Sequence, residues 1–72
     1  MENESERLAA LIRERRRALG LTQDALADLA GCSQRFIRAL ESGKPGVRLD
    51  KFLDVTRVLG LVIELVSRKR AA

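Results

Sequence analysis

Glycine stands at positions 20, 31, 43 and 60 of this 72-residue chain and ends four short segments there. They follow one another without a linker, a repeat or a low-complexity stretch. A glycine just past an apolar periodic run is a helix stop, so the chain is restricted to short helices joined by tight turns. Residues 5–19 predict an amphipathic helix with Leu8, Leu11, Ile12 and Leu19 on one face, ended by Gly20. Thr22 caps a second helix reaching Ala30, with Asp24 favourably placed in its first turn. Gly31 makes the next turn, and Ser33 caps a third helix that Gly43 ends. "KPGVR" is a loop, because Pro45 and Gly46 both oppose helix. Residues 49–59 predict a fourth helix, stopped by Gly60. The segment "LVIELV", residues 61–66, is rich in β-branched residues and too short for a separate helix, which predicts a strand.

A single core of this size gives marginal stability, so small domains lean on disulfides, metals or a partner chain. One cysteine and no histidine exclude an internal disulfide and a Cys/His zinc site. No cofactor is expected, and self-association is the natural supplement. In the fourth helix Leu49, Phe52, Leu53, Thr56 and Leu59 form the inward stripe, leaving Val55 and Val58 outside it. The last strand is alone, with no partner for its backbone N–H and C=O groups. A second copy answers both points: two such strands would pair antiparallel about a two-fold axis. Val55, Val58, Val62, Ile63 and Leu65 are then the dimerisation residues. The alternative is that residues 61–66 pack on their own helices. The chain thus divides into an acidic N-terminal tail (1–6), a helical body (7–60), a dimerisation strand (61–66) and a basic C-terminal tail (67–72).

The acidic N-terminus has no apolar signal core, and no apolar run approaches the roughly 20 residues that span a bilayer. With its lone thiol, the chain is expected to be soluble and cytoplasmic. Three of its ten acidic residues fall in the first six positions, and all fourteen Lys and Arg lie beyond them. The body after Glu6 therefore carries +7, a charge that attracts polyanions, with solubilising charge as the plainer reading. "RERRR" (13–17) wraps around its helix, so only part of it can face a ligand, and "SRKR" (67–70) is a basic end. Neither run sits beside an exposed apolar helical face, which disfavours a membrane surface. Without histidine or convergent carboxylates no acid–base or metal site can be assembled, so an enzyme is not expected. Phe36 and Phe52 sit on inward stripes, which leaves no stacking aromatics for RNA.

The third segment, "CSQRFIRALESG" (32–43), places Phe36, Ile37 and Leu40 in one arc and Gln34, Arg35 and Arg38 in the opposite one. Helix, capped turn of about three residues, helix is the helix-turn-helix arrangement. In it the second helix enters the major groove N-terminal end first while the preceding helix braces the backbone. Gln34 and Arg35 stand at that end, where Gln matches adenine N6/N7 and Arg matches guanine O6/N7. Arg38, one turn deeper, reaches a base or a phosphate.

The stretch "GLTQDALADLAGCSQRFIRALESGK" resembles the lambda-repressor-like (Cro/XRE) helix-turn-helix family. The matching elements are Thr22-Gln23, Leu26-Ala27, Gly31, Ser33, Ile37 and Glu41-Ser42-Gly43, within a likeness covering residues 8–60. The continuation "GKPGVRLDKFLDVTRVLGLVIELV" is similar to the HipB-like antitoxin branch. The resemblance implies a mainly α, four- to five-helix domain with a short C-terminal β-strand pairing across a homodimer. It also implies a sequence-specific repressor of an inverted-repeat operator in double-stranded DNA, with a HipA-like kinase toxin as a further partner. A free-standing XRE-type regulator and a protein-interaction module on the same scaffold are the alternatives. Laid on this chain, the resemblance puts Gln23, Ser33, Lys44 and Arg48 on phosphates and Gln34 and Arg35 on bases. It pairs Arg16 with Glu41, although Arg15 lies nearer the middle of the apolar stripe and competes for that place. Cys32 stands where the family has a small aliphatic residue and is read as a buried, valine-like thiol.

Overall fold

The computed structural model describes residues 3–68. It contains four helices: α1 (Glu4–Ala18), α2 (Gln23–Ala30), α3 (Gln34–Glu41) and α4 (Leu49–Leu59). Four is the lower of the two numbers expected, and each helix lies within one residue of its predicted span. α1 starts earlier than the proposed acidic tail allows. Asn3 caps it, accepting a hydrogen bond from the Glu6 amide at 2.8 Å while the Glu6 carboxylate accepts from the Asn3 amide at 3.1 Å. This reciprocal box satisfies two otherwise orphaned donors, so residues 4–6 are helix rather than tail.

All four helices close in the same way. The amide of the residue after each terminal glycine donates to the carbonyl five residues earlier: Leu21 to Arg16, Cys32 to Ala27, Lys44 to Ala39 and Leu61 to Thr56, at 2.9–3.2 Å. Each closure places a glycine in the left-handed region, which is the Schellman arrangement. At three ends the residue that closes the motif (Leu21, Cys32, Leu61) is apolar and packs against the core. The fourth is Lys44, and it is exposed. Gly31 has φ +71°, and nothing lies within 4 Å of where a Cβ would stand. Gly31→Ala is therefore expected to cost about 1–2 kcal/mol of backbone strain alone. Gly43→Ala should cost more, because its Cβ would meet Glu6 Cα at 3.3 Å. Urea denaturation of the two variants checks the order.

The core is built from Ile12, Leu26, Ala27, Ile37, Leu40, Phe52, Val55 and Leu59. α2 packs on both α3 and α4, and α1 closes over the same two helices. Two helices face the core with a rotation the apolar pattern did not indicate. α1 buries Ala9, Ile12 and Arg16, leaving Leu8, Leu11 and Leu19 at least one-third exposed. α4 buries Phe52, Val55, Thr56 and Leu59, while Leu49 and Leu53 face outward. Val55 is thus a fully buried core residue with no surface to offer a partner, and it leaves the list of dimerisation residues. Val58 is half-buried against the core.

The C-terminal strand is absent. Residues 61–68 carry no regular secondary structure, and no strand occurs among the described residues. A strand exists only by its ladder to a neighbour, and β-branched side chains cannot substitute for that partner. The described fold is therefore all α. Beyond half-buried Leu61 the tail is exposed: Val62 is 87 %, Leu65 98 % and Val66 80 % accessible, with Ile63 also exposed. Lys69 and Arg70 of the basic run lie outside the described residues. No helix among the described residues is long and apolar enough to cross a membrane.

Candidate nucleic-acid interface

Three residues, 31–33, join α2 to α3, and each fixes the geometry of the corner. Gly31 turns the chain, Cys32 drops onto the core, and Ser33 caps α3, its hydroxyl accepting from the Phe36 amide at 3.0 Å. Burial pushes the Cys32 thiol above its ordinary pKa, as suits a packing residue. Leu26 and Ala27 of α2 and Ile37 and Leu40 of α3 meet in the core, which fixes the angle between the two helices.

With Ile37, Leu40 and Glu41 turned inward, α3 presents Gln34, Arg35 and Arg38 to solvent. Gln34 and Arg35 occupy the first turn, and that turn holds no acidic residue. The first turns of α1, α2 and α4 each do. The partial positive charge of the α3 N-terminus is thus left unneutralised by its own sequence. Arg35 makes no ion pair or side-chain hydrogen bond among the described residues. Arg38 is shared: it donates to the Gln34 side-chain carbonyl at 3.3 Å and stands 4.0 Å from the Asp24 carboxylate. That contact joins the outer face of α3 to the first turn of α2.

Behind this surface lies a buried polar network. Arg16 pairs with Glu41 through two hydrogen bonds, Nε to Oε2 at 2.6 Å and Nη2 to Oε1 at 3.0 Å. The residues are only 9 % and 3 % exposed. Hydrogen bonding to Glu41 holds the Arg16 guanidinium above its ordinary pKa. Its remaining Nη1 donates to the Leu21 carbonyl at 2.9 Å. Arg15, the competing candidate, is exposed and donates instead to the Leu59 carbonyl at the end of α4. Gln23 joins the network, its Nε2 donating to Glu41 Oε1 at 3.1 Å. Arg13 donates to the Glu41 carbonyl at 2.6 Å. No buried side-chain polar atom among the described residues is left without a partner.

The residues expected on phosphates are distributed around this surface. Gln23 opens α2 and is half-buried, with one amide hydrogen committed to Glu41. Ser33 caps α3. Lys44 follows α3 directly, exposed and without an ion pair among the described residues. Arg48 stands at the start of α4, bound bidentately to Asp50 at 2.7 and 3.1 Å, so any phosphate must compete with that carboxylate. The Asp50 carboxyl is held below its ordinary pKa by the same hydrogen bond. Four contacts were not anticipated: Gln23 to Glu41, Arg13 to the end of α3, Arg15 to the end of α4, and Arg38 to Asp24. Each links separate helices, and no local spacing announces it. The Asn3–Glu6 box was also missed, although Asn-x-x-Glu before an apolar run is its sequence signal.

Comparison with known proteins agrees with this geometry. Residues 7–68 match the family described as helix-turn-helix domain. The HTH-type transcriptional regulator y4mF of Sinorhizobium fredii is 42 % identical over 60 residues, 83 % of this chain and 79 % of its own length. An HTH-type transcriptional regulator of Methanothermobacter thermautotrophicus is 42 % identical over 53 residues, 74 % of this chain and 77 % of its own. Among solved structures, a chain of the HipA–HipB–O2–O3 complex superimposes with a TM-score of 0.82 at 26 % identity. The match covers 96 % of this chain and 97 % of that one.

Proposed function

Because the chain belongs to the helix-turn-helix family of transcriptional regulators, we propose that it is a homodimeric, sequence-specific repressor of the HipB antitoxin type. It binds an inverted-repeat operator and associates with a HipA-like toxin. The observation that carries this reading is the exposed pair Gln34 and Arg35 on the capped, acid-free first turn of α3. The inner face of the same helix is locked into the core. Such a helix delivers two bidentate side chains, one pairing as donor and acceptor and one as a double donor, to base edges with little conformational freedom left to lose. Gln23, Ser33, Lys44 and Arg48 contact the phosphates on either side, and Arg38 reads a base once it leaves Asp24. The Arg16–Glu41 pair holds α1 against α3. Like its family, the protein acts by binding rather than by catalysis, and it works in the cytoplasm where its operator is.

In the dimer the two α3 helices enter successive major grooves about 34–36 Å apart. Val58, Val62, Ile63 and Leu65 carry the dimer contact, the last three because they are apolar side chains that the single chain leaves exposed. The test is a titration of purified protein with its own upstream DNA, a palindromic duplex and a random duplex. Arg35→Ala is expected to cost about 1–3 kcal/mol and to relax choice at one base position. Lys44→Ala should weaken all duplexes alike and lower the salt slope by about one. Equal wild-type affinity for palindromic and random DNA overturns base reading. Both curated relatives are named as transcriptional regulators, which favours a free-standing regulator as the second reading. A kinase-like reading frame beside the gene, and co-purification with its product, decides for the antitoxin.

A further inference from the structure

The Asp24 carboxylate is not needed to start the helix it stands on. Thr22 caps α2, its hydroxyl accepting from the Ala25 amide at 3.0 Å, and the Asp24 side chain accepts no hydrogen bond among the described residues. Its ion-pair contact crosses to the next helix, where Arg38 Nη2 stands 4.0 Å away. The same Nη2 donates to the Gln34 side-chain carbonyl at 3.3 Å. Asp24, Arg38 and Gln34 thus form a chain across the outer face of the α2–α3 corner. Both side chains of the ion pair are 60 % exposed, so the hold is loose and another anion can displace it. The other cations of this surface are placed differently. Arg35 and Lys44 have no ion pair among the described residues, and Arg48 is gripped at two points by Asp50, its near neighbour in sequence.

We infer that Asp24 is a positioning residue that sets the strength of DNA binding by withholding Arg38 from phosphate. The inference rests on the role of α3 proposed above and deepens it. An unrestrained arginine beside a groove settles on the nearest phosphate of any duplex and releases a counterion whatever the sequence. Beside Asp24 the same move only exchanges one exposed anion for another, and it leaves a carboxylate unpaired near the DNA. Arg38 therefore adds little at random sequence. Opposite a guanine the balance differs, because O6 and N7 together engage two of its donors. Two such bonds outweigh one contact of 4.0 Å, and Arg38 leaves Asp24 for the base. The operator complex also gives up that contact, so Asp24 lowers affinity for both kinds of duplex and does not widen the ratio between them. Its effect is release. The protein lets go of bulk DNA readily and of its operator sooner, since affinity differences within one interface fall mainly on the dissociation rate. The plainer role, complementing the α2 dipole, explains a negative charge in the first turn but bears on stability alone.

Asp24→Asn keeps the shape and removes the charge. It is expected to raise affinity for a random duplex about fivefold at low salt and to steepen the salt slope by about one, as one more phosphate contact does. Affinity for the upstream duplex should rise as well. Arg38→Met then reports where Arg38 stood. In the wild-type background it should cost less than about twofold on random DNA. In the Asp24→Asn background it should cost about fivefold and remove the added slope. Equal costs in the two backgrounds overturn the inference, because Asp24 and Arg38 then act independently. An Asp24→Asn variant with unchanged affinity and slope also overturns it and leaves Asp24 to the helix dipole. Circular dichroism of each variant guards against a general loss of structure. A wild type that binds no duplex overturns the DNA-binding reading, and the inference with it.

Discussion

Replacing Glu41 by alanine is expected to remove about 3–5 kcal/mol of stability. That is as much as a single core of this size supplies. The variant keeps Arg16 buried with one hydrogen bond, to Leu21, and no counter-charge, and Gln23 loses its acceptor. The expected result is a largely unfolded chain in the absence of DNA, read as the loss of a cooperative urea transition. The complementary variant separates charge from shape. With Arg16→Met and Glu41→Met together, two flexible apolar side chains fill the space and no ion is stranded. Paired replacements of this kind are often neutral or stabilising. The double variant should refold, yet bind DNA more weakly at every sequence, because the Gln23 amide is no longer held. If Glu41→Ala unfolds at the wild-type urea midpoint, the ion pair is not what fastens α1 to α3.

Leu26→Ala is the second large effect. Leu26 is fully buried on the helix that packs on both α3 and α4, so its removal opens a cavity where three helices meet. A loss of about 2–5 kcal/mol is expected, its size set by how far α2 can settle into the gap. Leu26→Met keeps the volume and should cost less than about 1.5 kcal/mol. Because the lost contact also fixes the angle between α2 and α3, residual folded protein should show a steeper fall in operator affinity than in non-specific affinity. Thermal and urea melts, with and without operator duplex, measure both quantities.

Helix boundaries were legible in the sequence because local groups set most of them: a hydroxyl reaching three residues ahead at the start of α2 and α3, and a left-handed glycine after the end of all four. The expected span of α4 matches residue for residue. Which side of a helix faces inward was less legible. Leu8 and Leu11 form as good an apolar stripe as Ala9, Ile12 and Arg16, and periodicity cannot say which stripe meets the core and which borders a cleft. Arg15 and Arg16 differ by about 100° on the wheel, so the same ambiguity left the partner of Glu41 open. The tail failed for another reason. Val62, Ile63 and Leu65 state a preference for extended backbone, and a ladder needs a neighbour that one chain lacks. At the candidate interface, the outward placement of Gln34, Arg35 and Arg38 follows from helix period alone. The Gln23–Glu41 and Arg38–Asp24 contacts depend on how α2 and α3 meet, and only the folded chain contains that information.

The division of α3 into an inner face that the core holds and an outer face that it does not has a consequence for how such proteins diversify. Arg35 touches nothing that keeps the domain folded and Gln34 only the exposed Arg38, and exposed positions of this kind exchange within about half a kilocalorie per mole. New operator preferences can therefore arise by point changes at these positions without passing through an unstable intermediate. Duplicate copies of the gene could part ways in the DNA they read while still sharing one scaffold.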